Sequence, residues 1–187
     1  MPYKTYRANA KLCYVWHMKI RLSALVFAIC VSGCAADAGT QSKPLGSHAA
    51  HAGHNEPTPY DETADAKFDI AQTLAAAKAE NKKGLLVFGA NWCHDSRALA
   101  AHFEKPRFQN LIESNYKLVY VDVGQKNRNI DQAQKFGLSE IVGTPTVFVT
   151  NSEGVVLNSG TAPTWRNAAS RQESEIWEYF ESYASVN

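Results

Sequence analysis

Three short stretches of apolar residues set the architecture: Leu85-Leu86-Val87-Phe88, Leu118 to Val123 broken only by Asp122, and Val147-Phe148-Val149. A strand with one wet face alternates apolar and polar residues; these runs do not, so each reads as a strand covered on both sides. Cover on both sides calls for helices above and below a central sheet. Segments at helical spacing supply them. Ile70, Leu74 and Ala77 keep a helical period up to Asn81, with Asp69 and Gln72 at capping-box spacing and Lys82-Lys83-Gly84 as the stop. Ala98, Leu99 and Phe103 follow the first apolar run, and Phe108, Leu111 and Ile112 predict a helix over Pro106 to Ser114. Asp131 to Phe136 reads as a helix closed by Gly137, and Ile176, Trp177, Phe180 and Tyr183 mark a final amphipathic helix. Asn151-Ser152-Glu153-Gly154 predicts a hairpin turn into a fourth strand, Val155-Val156-Leu157. The order is helix, strand, helix, helix, strand, helix, strand, strand, helix: an α/β fold with a parallel portion and a terminal hairpin.

These elements occupy residues 61–187, enough for one core, and the rest of the 187-residue chain is different in kind. Five basic residues and no acidic ones precede Cys34, leaving fourteen basic against eighteen acidic from there on. With a net charge of only +1, the totals give no sign of a nucleic-acid binder. From Met18 the sequence reads Met-Lys-Ile-Arg, an apolar stretch from Leu22 to Val31, then Ser32-Gly33-Cys34. That is the basic region, short apolar region and small-residue cleavage site of an export signal, too short to span a bilayer as a helix. Met18 fits the start of such a signal better than Met1, which makes residues 1–17 an upstream extension. Val31-Ser32-Gly33-Cys34 resembles the lipobox of bacterial lipoproteins, whose cysteine becomes the acylated first residue of the mature chain. The resemblance implies lipidation of Cys34, palmitate among the acyl chains, and anchoring in a bilayer. Ala35 after the cysteine resembles the outer-membrane sorting signal, placing the protein in the cell envelope, facing the periplasm. An ordinary secretory signal with a coincidental cysteine is the alternative.

Residues 34–60 are rich in Ala, Gly, Ser, Thr, Pro and His and read as a flexible tether. His48, His51 and His54 recur at every third position; three imidazoles could hold copper or zinc, but with no partner cysteine or carboxylate at a fixed spacing they are read as linker composition, and no metal or cofactor is expected. Of the four cysteines, Cys13 and Cys30 fall in the removed segment and Cys34 carries lipid. Cys93 is then the only thiol of the domain.

Cys93 lies in Gly89-Ala90-Asn91-Trp92-Cys93-His94-Asp95-Ser96, between a buried strand and a helix, and Val142-Gly143-Thr144-Pro145-Thr146 precedes another strand. Together these segments resemble the thioredoxin family over about Phe68 to Tyr183. They match its Trp-Cys-x-x-Cys motif and the loop whose cis proline packs against the active-site cysteine. The resemblance implies a thioredoxin-like fold with a central mixed β-sheet flanked by helices. A cysteine at a helix N-terminus meets unpaired N–H groups and the positive end of the helix dipole, which favour the nucleophilic thiolate. A protonated His94 would favour it further and Asp95 would oppose it. Cys93 and Ser96 are the candidate catalytic positions; Trp92, His94, Thr144 and Pro145 are the candidate substrate contacts, with packing beneath the site as the alternative role of Trp92. Ser96 stands in place of the resolving cysteine, and Val87 falls where thioredoxins carry a buried acid. Both departures affect the same half-reaction, since a hydroxyl cannot displace a mixed disulfide. The expected function is therefore monothiol exchange with exported proteins, an external thiol such as glutathione completing it, by a monomer. The alternative is a redox-inactive, chaperone-like binding module of the envelope, and metal delivery by Cys93 with the tether histidines is a third. Trp165, in the stretch from Thr161 to Ser170, either meets a partner or covers the sheet edge, and His102 is placed on an exposed or half-buried helix face.

Overall fold

A computed structural model of the chain describes residues 56–186. Cys34, the signal segment and the three tether histidines lie outside the described residues. The elements are α1 (Ala66–Ala79), β1 (Lys83–Gly89), α2 (His94–Phe103), α3 (Pro106–Asn115), β2 (Tyr116–Asp122), α4 (Ile130–Gln134), β3 (Thr146–Thr150), a 3-10 helix (Ala162–Ser170) and α5 (Glu173–Ala184). The sheet has the order β2-β1-β3. β1 runs parallel to β2, with Leu85 beside Leu118 and Phe88 beside Val121, and antiparallel to β3, with Leu86 beside Phe148.

β1 is the central strand, so both of its faces must be apolar, and its side chains alternate between two cores. Leu85 and Val87 join Val147 and Val149 under Leu99, Phe103, Phe108 and Phe180 from α2, α3 and α5. Leu86 and Phe88 join Phe148 under Ile70 of α1 and Ala133 of α4. Phe88 meets Phe148 edge-on at 5.5 Å between centroids. Truncating such a ring to alanine costs about 3–5 kcal/mol. The expected mixed sheet between helical layers is present.

Three details depart from the sequence reading, and Trp165, for which the sequence leaves two alternatives, is found in the core. The α1 cap is Asp65, whose Oδ1 accepts from the Phe68 N–H at 3.0 Å; Asp69 lies inside the first turn. The strand expected at Val155-Val156-Leu157 is reduced to a single bridge between Thr150 and Val156. A side chain has taken its place: Asn158 Oδ1 accepts from Val149 N–H and its Nδ2 donates to Val147 O, both at 2.8 Å, so the buried amide satisfies the β3 edge. Trp165 is fully buried, stacked on Phe180 at 4.9 Å and covered by the Arg171 guanidinium. Tyr60, at the end of the expected tether, is buried in the core with its ring edge-on to Tyr120 at 5.3 Å. Among the described residues, no helix is long and apolar enough to cross a membrane.

Candidate active site

The site forms where β1 gives way to α2. Cys93 is the N-cap of α2, with extended backbone angles, and its carbonyl accepts the first helical bond from Arg97 N–H at 3.1 Å. The loop behind it is held from two sides. Cys93 N–H donates to Ala90 O at 3.1 Å, while the Asn91 amide exchanges two hydrogen bonds with the Tyr60 main chain, at 3.1 and 2.7 Å. Arg97 donates to Asn91 O at 2.7 Å and, through Nε, to Glu56 at 2.9 Å, fastening the segment ahead of α1 to the same turn.

Cys93 is 9% exposed, and its thiol donates to the Thr144 carbonyl at 3.2 Å. Thr144 and Pro145 are buried, and the peptide bond between them is cis. The two sequence motifs therefore lie against each other, as the family resemblance implied. Trp92 and His94 face outward instead. Trp92 is 49% exposed and donates from Nε1 to Gly124 O at 2.8 Å, so it lies over the end of β2 and does not pack beneath the site. Val142, 47% exposed, is a second apolar side chain at the surface, just ahead of the Thr144 loop. The exposed His94 ring stands 3.5 Å from Glu56, and Asp95 Oδ1 accepts from Ala169 N–H at 2.8 Å, which ties α2 to the 3-10 helix. His102, at the far end of α2, is half-buried.

Ser96 is fully buried, and neither its Oγ nor the nearby Tyr60 hydroxyl has a hydrogen-bond partner of good geometry. Burial drives the Tyr60 phenol far above its ordinary pKa; the adjacent Ser96 hydroxyl lowers it by less. Gly89 is the residue that makes room: a Cβ there would lie 2.5 Å from Tyr60 Oη and 2.7 Å from Ser96 Oγ. Glu56, Tyr60, Asn91 and Arg97 were not among the sequence candidates. The available signal was that Tyr60 is the first aromatic residue after a long stretch without one. Among the described residues, no three His, Cys, Asp or Glu side chains converge as a metal cluster would.

A cysteine at a helix N-cap, fed by a central strand and facing a cis Thr-Pro loop, defines a thioredoxin-type site. Residues 64–152 match the sequence profile of a thioredoxin-like family. A disulphide isomerase from Xylella fastidiosa Temecula1 is 36% identical, the alignment covering 69% of this chain and 98% of that one, with a TM-score of 0.65. The chain belongs to the thioredoxin-like family. Weaker likeness extends to a thioredoxin h from poplar (19% identity, 68% and 96% coverage, TM-score 0.47) and to a thioredoxin from Thermus thermophilus (17% identity, 62% and 83% coverage, TM-score 0.45). No curated protein matches the chain.

Proposed function

We propose that the protein carries out monothiol thiol–disulfide exchange through Cys93, on exported proteins or small disulfides, held at the cell envelope by lipid on Cys34. The observation that carries this reading is Cys93 at the N-cap of α2, its thiol on the Thr144 carbonyl, with Ser96 and no second thiol one turn further on. The 36% identity to a disulphide isomerase supports the same chemistry. In the resting state the S–H bond is held by Thr144 O. Loss of that proton to solvent leaves the thiolate at the N-cap, facing the first-turn N–H groups of α2. The thiolate attacks one sulfur of a substrate disulfide; an S–S bond to Cys93 forms, the substrate S–S bond breaks, and the departing thiolate takes a proton from solvent. An external thiol then attacks the mixed disulfide and returns Cys93 to its reduced form. The exposed Trp92 and Val142 offer apolar contact to a substrate segment.

A second reading draws on the low exposure of Cys93: a binding module that holds client chains against the Trp92 and Val142 surface with no covalent step. Trapping separates the two. Wild type and Cys93→Ala are expressed in the envelope and adducts are resolved on non-reducing gels. Thiol-sensitive adducts that vanish with Cys93 support exchange; identical adduct patterns overturn it and favour the binding module. For the anchor, Cys34→Ala should abolish labelling by radioactive palmitate and release the protein from membranes. Unchanged labelling would overturn lipidation at Cys34.

A further inference from the structure

Beneath Cys93 lies a polar pair that the exchange steps above leave unused. Tyr60 and Ser96 bring their hydroxyls together over Gly89, where a single Cβ would lie 2.5 Å and 2.7 Å from the two oxygens. Both are buried, and neither has a hydrogen-bond partner outside the pair. An unpartnered buried hydroxyl costs about 1–3 kcal/mol, so two at one point mark a place where a hydrogen bond is completed in another state of the site. The phenol cannot act as a base there, because burial, with smaller contributions from charge at Cys93 and Asp122, keeps it protonated.

The state that needs these hydroxyls is the thiolate. In the resting site Thr144 O accepts from the neutral thiol. Once the proton has left, that carbonyl faces another acceptor, and sulfur requires O–H or N–H donors instead. Ser96 occupies the third helical position after the Cys93 cap, the position from which a side chain reaches back over the cap residue.

We propose that Tyr60 is a positioning residue for Cys93: its hydroxyl donates to Ser96 Oγ and so turns the Ser96 proton toward the Cys93 sulfur when the thiolate forms. The inference rests on the reading of Cys93 as the nucleophile. No proton is transferred along the pair; both O–H bonds stay intact and the thiol proton leaves to solvent. Ser96 is then a donor to the thiolate as well as the residue that forbids its resolution.

The charged groups around the site are His94 and Asp95 on α2, Arg97 paired with Glu56, Asp122 paired with Arg128, and Arg166, whose side chain lies close to Gly143. Tyr60→Phe leaves all of them in place and removes one oxygen. The readout is alkylation of Cys93 by iodoacetamide in the full chain, followed on the Cys93 peptide by mass spectrometry across pH. Ser96→Ala should slow alkylation at neutral pH about tenfold and Tyr60→Phe about threefold, each moving the pH profile to the alkaline side. The double variant should be no slower than Ser96→Ala alone, since Tyr60 acts through Ser96. A Tyr60→Phe profile superimposable on wild type, or effects that multiply in the double variant, would overturn the proposal. So would a lower melting temperature with an unmoved profile, the mark of a purely structural role. If Cys93 exchanges with disulfides while the variants share one profile, this inference alone fails. If Cys93 exchanges with no disulfide, the exchange reading fails, and the alkylation profiles still decide the role of Tyr60.

Discussion

Cys93 and Ser96 stand one helical turn apart, and in the proposed exchange the identity of one atom, oxygen in place of sulfur, sets which half of the cycle is open to the site. Restoring sulfur should restore the second half. With Ser96→Cys, the mixed disulfide on Cys93 should release its partner without an added thiol, as seen by intact-mass spectrometry; a mixed disulfide as long-lived as in wild type would contradict this. Gly89 is the matching test of packing: Gly89→Ala drives a methyl group into both hydroxyls and should lower stability by about 1–3 kcal/mol in denaturant titrations. At this scale the meeting of Cys93 with the Thr144-Pro145 loop was legible, because both segments resemble motifs that a known family brings together. Trp92 and Tyr60 were not, because their directions are set by partners distant in sequence, the Gly124 carbonyl for one and the Asn91 amide for the other.

Among the elements, β3 shows how a side chain can finish what backbone pairing leaves open. Asn158 is buried and gives both hydrogen bonds of its amide to β3, and its Nδ2 also donates to Tyr179 Oη at 2.8 Å. Asn158→Leu keeps the volume and leaves a buried N–H and a buried C=O without partners, each costing about 1–3 kcal/mol. Its urea midpoint should fall well below that of wild type; an unchanged midpoint would show that the edge is satisfied in another way. The hairpin turn was legible, since Asn151 and Gly154, at φ +82°, are the residues such a turn demands. The missing strand was not, because apolar period alone does not reveal that an asparagine four residues past the turn folds back onto the edge. For α1, Asp65 and Asp69 both offer a plausible cap, and tertiary packing of Ala66 and Ile70 selects the earlier one.

For the molecule as a whole, the two-sided core followed from the three apolar runs and the order of elements as far as β3 from those runs and the helical spacing between them, while the docking of residues 56–60 onto the active-site turn had no sequence period to announce it. One consequence of whole-chain packing concerns acid stability. His102, on α2, packs edge-on to Phe108 of α3 near Lys105 and Glu173, and its imidazole is held below its ordinary value, first by burial and then by the Lys105 charge, with Glu173 opposing. A base whose pKa is depressed on folding resists protonation in the native state, while the unfolded chain takes up the proton near pH 6.5. Its contribution to stability is present in full above that pH and is lost as pH falls from about 6.5 through the lower folded value. The melting temperature should decline over that range, and His102→Gln should flatten the decline. A His102→Gln curve parallel to wild type would assign the acid sensitivity to other groups.

The central claim is that one thiol starts an exchange it cannot finish. The direct measurement is intact-mass spectrometry of the purified protein after exposure to excess oxidised glutathione and removal of the reagent. A single glutathione adduct on Cys93 that persists until reduced glutathione is added, and is absent in Cys93→Ala, is the predicted result. No adduct on Cys93, or an adduct that disappears with no added thiol, would contradict the account.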